Sequence, residues 1–212
     1  MFPLFYASEN RSENISPEFR GFIDSLYCHP SEPEEIFNYI YAVLHAHTYR
    51  DRYADFLRID FPRIPFPDSH ENFEALSSLG SDLVSAHLMR DVPDTDHGDF
   101  RGQGDFKVLQ RKWEPSARAS DGEDALGRLR INPDQYFERV PKDVWEFEIG
   151  GYQVLDKYLK DRAGRTLSLD EVENIERIVR VLVFTLDQMR AIDAAYLQAF
   201  PAADLPDGAE AA

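Results

Sequence analysis

"HAHTYRDRYADFLRIDFPRIPFP", residues 45–67, decides how the first half of the chain is built. Two histidines stand one residue apart, tyrosines and arginines interleave, and three prolines close the stretch. Its apolar residues continue a pattern set earlier: Ile36, Tyr39, Ile40, Val43, Leu44 and His47 recur at helical spacing. After a bend or register shift, Tyr53, Phe56 and Leu57 take up the stripe. Residues 31–60 therefore read as one helix or two in succession, with Ser31 as N-cap and acids in the first turn. Tyr49, Tyr53, Phe56 and Leu57 are expected to pack inward, while Arg50, Arg52 and Arg58 stay in water or pair with acids. "FPRIPFP" (61–67) must then be extended, because each proline disfavours helix in the residue before it.

Outward from this stretch, "MFPLFYA" is a short β-prone aromatic run followed by a polar loop, "SENRSEN". Ser16, Pro17 and Glu18 are the cap, first turn and dipole-matched acid of a helix. Ser69 caps a third helix, with Phe73, Leu76, Leu79, Gly80, Leu83 and Leu88 on its inner face. The polar, glycine-containing stretch 90–105 reads as loop. "FKVLQRKWEP" (106–115), "GRLRINPDQYFERV" (127–140) and "VWEFEIGGYQV" (144–154) read as strands, broken by "SDGED" (120–124) and Asn132-Pro133. A short helix follows, ending near Gly164. Ser168 opens a long terminal helix with the stripe Ile175, Ile178, Val179, Leu182, Val183, Leu186 and Met189. The expected fold class is α+β, mainly helical with a small antiparallel sheet in the second half. The expected layout is a single domain over 1–200 (helical 1–95, strand-rich insertion 96–150, C-terminal helices 151–200) and a disordered tail, 201–212.

The bulk numbers narrow the function classes. At 212 residues, 43% hydrophobic and 13% aromatic, the chain can bury a real core. A formal charge of −16 argues against a general polyanion binder, so any nucleic-acid contact needs a local basic patch or a partner that carries the charge. The single cysteine, Cys28, excludes an intramolecular disulfide and a thiolate zinc cluster, which fits a cytoplasmic setting. No apolar run reaches the roughly 18 residues that would span a membrane.

Chemistry-bearing motifs are few. On a helix, His45 and His47 point about 200° apart and cannot share a metal ion, and neither HExxH nor CxxC completes a shell. That spacing assigns His47 to a helix face or interface and His45 to solvent. Cys28 has His29 beside it in sequence, which does not place an imidazole on the thiolate. "GDFRGQGD" (98–105) has glycines but neither the GxGxxG spacing nor a following GK[ST]. There is no Asp/Asn-Pro-Pro-aromatic motif and no glycine-rich fingerprint for a methyl donor. No catalytic residue, metal site or cofactor is assigned.

A basic segment is the positive finding. Between residues 101 and 118, Arg101, Lys107, Arg111, Lys112 and Arg118 face only Asp105 and Glu114. Strand alternation puts Lys107, Leu109, Arg111 and Trp113 on one side, with Val108, Gln110 and Lys112 on the other. Farther on, Arg128, Arg130 and Asn132 share a face opposite Leu129 and Ile131. Arg, Gln and Asn are the side chains that meet base edges with paired hydrogen bonds, while lysines hold phosphates. The candidate DNA-binding residues are therefore Lys107, Gln110, Arg111, Lys112, Arg128, Arg130 and Asn132. An ordinary half-exposed sheet with charged outward residues accounts for the same pattern.

"IFNYIYAVLHAHTYRDRYADFLRIDFPRIPFP" (36–67) and "INPDQYFERVPKDVWEFEIGGYQVLDKYLKDRAGRTLS" (131–168) together resemble the C-terminal specificity region of type ISP restriction–modification enzymes. Those are single polypeptides with nuclease, translocating ATPase, adenine methyltransferase and target-recognition parts. The resemblance covers nearly the whole chain and implies a target-recognition domain. Such a domain binds duplex DNA and reads bases for adenine methyltransferase and ATPase modules, without cofactor or membrane. It implies that residues 36–67 lead from a methyltransferase module into the recognition domain, with "MFPLFY" as the tail of the methyltransferase sheet or a strand bordering it. None of the nuclease, helicase or methyl-transfer motifs is present, so those activities do not carry over. The chain then stands as a fragment, a split subunit or a remnant of such an enzyme. The alternative is an acidic helical interaction module that docks on a methyltransferase or translocase partner.

Overall fold

The computed structural model describes residues 4–5, 12–116 and 125–201. Most of the opening aromatic run, part of the loop after it, the "SDGED" break, Arg118 and the tail after Pro201 lie outside the described residues. The elements are α1 (Pro17–Tyr27), α2 (Pro33–His45), α3 (His47–Arg52), α4 (Ala54–Ile59), α5 (His70–His87), β1 (Asp99–Arg101), β2 (Lys112–Pro115), β3 (Leu126–Arg130), β4 (Tyr136–Pro141), α6 (Lys142–Glu146), β5 (Glu148–Ile149), β6 (Tyr152–Gln153), α7 (Val154–Lys160) and α8 (Leu169–Ala199). This is the α+β, mainly helical class that the sequence predicts, with its four-stranded antiparallel sheet in the second half. The chain divides into two compact units, Met1–Ser85 with Asp187–Ala212, and Ala86–Leu186.

The first unit is built on helices and one extended segment. Ser16 caps α1 as expected, its Oγ accepting from the Phe19 N–H at 3.2 Å. Cys28 ends that helix in a left-handed conformation (φ 52°) and is exposed. The cap of α2 is Glu32 rather than Ser31: Glu32 and Glu35 form a reciprocal capping box, with Pro33 in the first turn. Ser31 is buried just before it. The helix ends at Ala46, whose backbone is extended (φ −68°, ψ 125°), so the predicted one or two helices are three, α2 to α4. Tyr49 is buried and Tyr53 and Leu57 are half-buried, but Phe56 is 55% exposed, against the inward expectation. The short α4 contains no buried residue.

Residues 61–67 are extended, as the prolines require. The prolines supply no N–H, and three tyrosine hydroxyls donate to alternate carbonyls of this strap. Tyr49 Oη reaches Arg63 O at 3.0 Å, Tyr39 Oη bonds Pro65 O, and Tyr27 Oη reaches Pro67 O at 3.0 Å. Burial raises the pKa of all three phenols, so they remain donors through the neutral range. Helix α5 starts after Ser69, whose Oγ accepts from Asn72 N–H at 3.4 Å. It lies so close to α2 that a Cβ on Gly80 would stand 2.0 Å from the Asn38 carbonyl oxygen. Phe73, Leu76 and Leu83 of α5 are buried, whereas Leu88, expected inside, falls beyond its end and is 54% exposed. Ile192 and Tyr196 of α8 join this core.

In the second unit the strand order is β1-β4-β3-β2, all antiparallel. Leu129, Phe137 and Ile131 are fully buried against Leu155 and Leu159 of α7 and Ile175 and Val179 of α8. Gly127 admits the Trp113 ring, which stands 2.3 Å from where a Cβ would be. Residues 144–146, expected in strand, belong instead to the short α6 (142–146); of the expected strand 144–154 only 148–149 and 152–153 pair, across the turn at Gly150 and Gly151 (φ 60° and 80°). Ser168 and Glu171 cap α8 reciprocally, at 3.2 and 3.0 Å. The predicted stripe through Ile175, Val179, Leu182 and Met189 is buried.

Candidate nucleic-acid interface

Strand pairing turns a scattered set of charges into an ordered array. Register places Arg101, Tyr136, Arg130 and Lys112 in one row across the four strands, and Asp99, Glu138, Arg128 and Glu114 in the next. Side chains of one row and its neighbour two residues along share a face. This is the face opposite Leu129 and Phe137, hence the outer face of the sheet. It is solvated, with Lys112 65% and Arg101 50% exposed.

Four cations meet three carboxylates here, and the pairing is selective. Glu114 accepts from Arg130 at 2.6 Å and from Lys112 at 3.1 Å. The Arg130 hydrogen bond, followed by that of Lys112, holds the Glu114 carboxyl below the usual carboxylate range. Arg101 bonds both Glu138 and Asp99 at 3.0 Å. Arg128 stands opposite two carboxylates, Glu138 and Glu114, yet among the described residues neither pairs with it. Its guanidinium lies over the Tyr136 ring instead, 4.8 Å from the centroid, and that of Arg130 approaches the same ring at 5.3 Å.

The sequence-predicted residues are only partly brought together. Lys112, Arg128 and Arg130 share the outer face. Arg111, one residue from Lys112, turns to α7 and pairs with Asp156 at 2.8 Å. Lys107 lies in an isolated bridge to Thr166. Residues 107–111 do not alternate as a strand, because the Leu109 and Gln110 N–H groups both donate to the Ile131 carbonyl, at 2.7 and 3.0 Å. Gln110 is half-buried beside that doubled bond. Asn132 is a correction: it is 5% exposed and its amide is fully engaged in the β3–β4 turn. Its Oδ1 accepts from Asp134 N and Gln135 N at 3.0 and 2.8 Å, and its Nδ2 donates to Lys107 O and Gln135 Oε1 at 3.1 and 2.8 Å. No hydrogen-bonding capacity is left for a base edge.

Residue-by-residue charge counting missed Tyr136, although it alternates with the inward Phe137 and so carried a strand signal. The histidine pair also differs from expectation. His45 is half-buried, its Nδ1 2.7 Å from the Tyr41 carbonyl, and burial lowers its pKa. His47 is exposed, 3.3 Å from Arg50 Nη2. Among the described residues no group of three His, Cys, Asp or Glu side chains could hold a metal ion. No helix among them is long and apolar enough to cross a membrane.

Comparison with known proteins sets this geometry in context. The chain is similar to part of a DrdV–DNA complex determined by cryo-EM, at 22% identity and a TM-score of 0.66, covering 90% of this chain and 21% of that one. It is similar to a nuclease-deletion mutant of the type ISP restriction–modification enzyme LlaGI in complex with a DNA substrate mimic, at 22% identity and TM-score 0.55, covering 76% and 14%. It is also similar to the ATP-dependent type ISP restriction–modification enzyme LlaBIII bound to DNA, at 17% identity and TM-score 0.60, covering 88% and 13%. At these identities the likeness is one of fold, and the chain spans between 13% and 21% of those proteins' length. No curated protein matches the sequence. The profile of the type ISP C-terminal specificity domain matches residues 1–190, nearly the whole chain, and the protein therefore belongs to that family.

Proposed function

We propose that this chain is a DNA target-recognition module of a type ISP-like restriction–modification and adenine methyltransferase system. The observation that carries the reading is the outer sheet face, where Lys112, Arg128, Arg130 and Arg101 surround Tyr136 on a rigid four-stranded support. Guanidiniums and amines on a pleated surface are the groups that meet base edges and phosphates. Lys107, Gln110 and Arg111 flank that face and extend the contact; Asn132 has no part in it. The module itself is non-catalytic: methyl transfer, ATP hydrolysis and DNA cleavage belong to the adenine methyltransferase, ATPase and nuclease parts of such a system, and the −16 charge calls for a partner that carries basic charge to the DNA. Such a system works on DNA in the cytoplasm.

The test is an anisotropy titration of random-sequence duplex with the full chain, starting at low salt. Binding that weakens linearly in log K against log salt is expected, with a preferred sequence emerging from a pool. Lys112→Ala weakens all sequences alike, and Arg130→Ala alters the preference. Absence of binding at every salt concentration refutes the stand-alone reading.

A second reading is favoured by a different observation. Phe56, Ile59 and Phe61 are 55%, 81% and 89% exposed beside an apolar pocket lined by Tyr49, Tyr53, Leu57 and Pro62. A solvent-facing aromatic cluster suits an interaction module docking on a methyltransferase or translocase. Co-purification with such a partner, lost on Phe61→Ser, separates it from the first.

A further inference from the structure

Resting on the DNA-recognition reading, we propose that Arg128 is the base-reading cation of this face and that Tyr136 is its positioning residue. The ligand it fits is the major-groove edge of a guanine. Arg101, Arg130 and Lys112 each bond a carboxylate on the sheet itself, at distances of 2.6 to 3.1 Å. Arg128 is cross-strand neighbour to both Glu114 and Glu138, but those carboxylates are taken by Arg130, Lys112 and Arg101. Its guanidinium rests on the Tyr136 ring, which holds the planar fork over an aromatic surface. Arg130 closes on the same ring from the paired position and confines the arrangement.

The pairing decides between a base and a phosphate. Arg101, Arg130 and Lys112, each already shared with a carboxylate (Asp99 bonds Arg180 as well, at 3.1 Å), offer the backbone charge without a free fork. Arg128, the guanidinium of this face without a carboxylate partner among the described residues, has five N–H donors in a fixed fork and is instead suited to two acceptors lying in one plane. Guanine O6 and N7 present that pair in the major groove. Tyr136 acts through its ring, so phenylalanine should substitute for it and leucine should not.

The experiment uses the full chain and a random-sequence duplex library, with the bound fraction sequenced, and a salt series on the preferred duplex. Wild type should enrich one G·C pair. Arg128→Lys and Tyr136→Leu should each reduce discrimination at that pair by about tenfold, the value of one bidentate contact, with the salt slope unchanged. Tyr136→Phe should retain wild-type preference, and far-UV circular dichroism checks that each variant is folded. Should Tyr136→Leu fail to fold, Arg128→Lys and Tyr136→Phe decide the matter. In Arg128→Ala, which removes the charge that Arg128→Lys keeps, a uniform loss across all sequences with the salt slope reduced by about one would put Arg128 on a phosphate and overturn the inference. So would a preference that survives Arg128→Lys, or a wild type that binds all sequences alike. A wild type that binds no duplex at all overturns the parent reading and this inference with it.

Discussion

Replacing Tyr27 by phenylalanine removes one oxygen from the first unit and leaves the Pro67 carbonyl without its donor. Tyr27 is 8% exposed, and Pro67 is buried, so water cannot take the hydroxyl's place. The variant leaves a buried acceptor unsatisfied, which costs about 1–3 kcal/mol, and full burial of that acceptor puts the loss in the upper part of the range. A destabilisation of about 2–3 kcal/mol is expected. Tyr39→Phe should cost about 1–2 kcal/mol, because Pro65 is only half-buried and partial rehydration is available. Tyr49→Phe should cost about 0.5–1 kcal/mol, because Arg63 is exposed and water can reach its carbonyl. The strap thus yields a gradient set by the burial of its acceptors, not by the donors, since Tyr39 and Tyr49 are 0% and 1% exposed. Urea unfolding followed by far-UV circular dichroism measures it, with the m-value unchanged. Tryptophan fluorescence is the wrong probe, because Trp113 and Trp145 both lie in the second unit. Equal losses at the three positions, or a larger loss at Tyr49 than at Tyr27, would refute the reasoning.

Other substitutions test other parts of the structure. Gly80→Ala drives a methyl to 2.0 Å from the Asn38 carbonyl and should lower stability by about 2–3 kcal/mol in thermal melts. Gly21→Ala, in α1 with nothing within 4 Å of the added methyl, should raise stability by about 0.5–1 kcal/mol. The Glu171 carboxyl is held down to about 2 by the Ser168 N–H, with Arg165 and Arg162 adding to it, against an ordinary 4.5. Its contribution is therefore present above pH 4.5 and is lost as pH falls toward 2. Glu171→Gln should flatten that acid limb and, by loss of the charge that faces Arg162, Arg165 and the helix N-terminus while the capping hydrogen bond is kept, cost about 1 kcal/mol at neutral pH. Glu114→Gln frees Arg130 and Lys112 for phosphates, so random duplex should bind more tightly with a salt slope steeper by about one to two. An unchanged slope would show that those cations never meet the backbone.

Much of the architecture was legible along the chain because it rests on local chemistry. Ser16, Ser69 and Ser168 open their helices for the reason any such hydroxyl does, by accepting from an N–H that the first turn leaves unpaired. The α8 stripe is buried at the spacing it shows in sequence. The prolines of 61–67 forbid helix whatever surrounds them. Arg128 and Arg130 oppose Leu129 because a strand alternates. Family membership, too, follows from residues in order.

What only the tertiary structure decided is which groups meet. The break at Ala46 has no proline or glycine to announce it, and α3 instead places Thr48 where its N–H and hydroxyl meet Asp193 at 2.7 and 3.1 Å, 145 residues away. Asn132 looked like a base reader because its side chain suits adenine, but folding turns it into the clamp of a buried turn. The basic stretch looked uncompensated because a window along the chain counts only neighbours. Its acids come from 37 residues away for Arg101, in Glu138, and from 45 for Arg111, in Asp156. Charge acts through space, at a few ångströms, while sequence orders residues by covalent bonds. Composition and periodicity therefore determined the elements, residue order along two long motifs carried the family, and strand register set Arg128 on Tyr136 and left it, among the described residues, without a carboxylate partner.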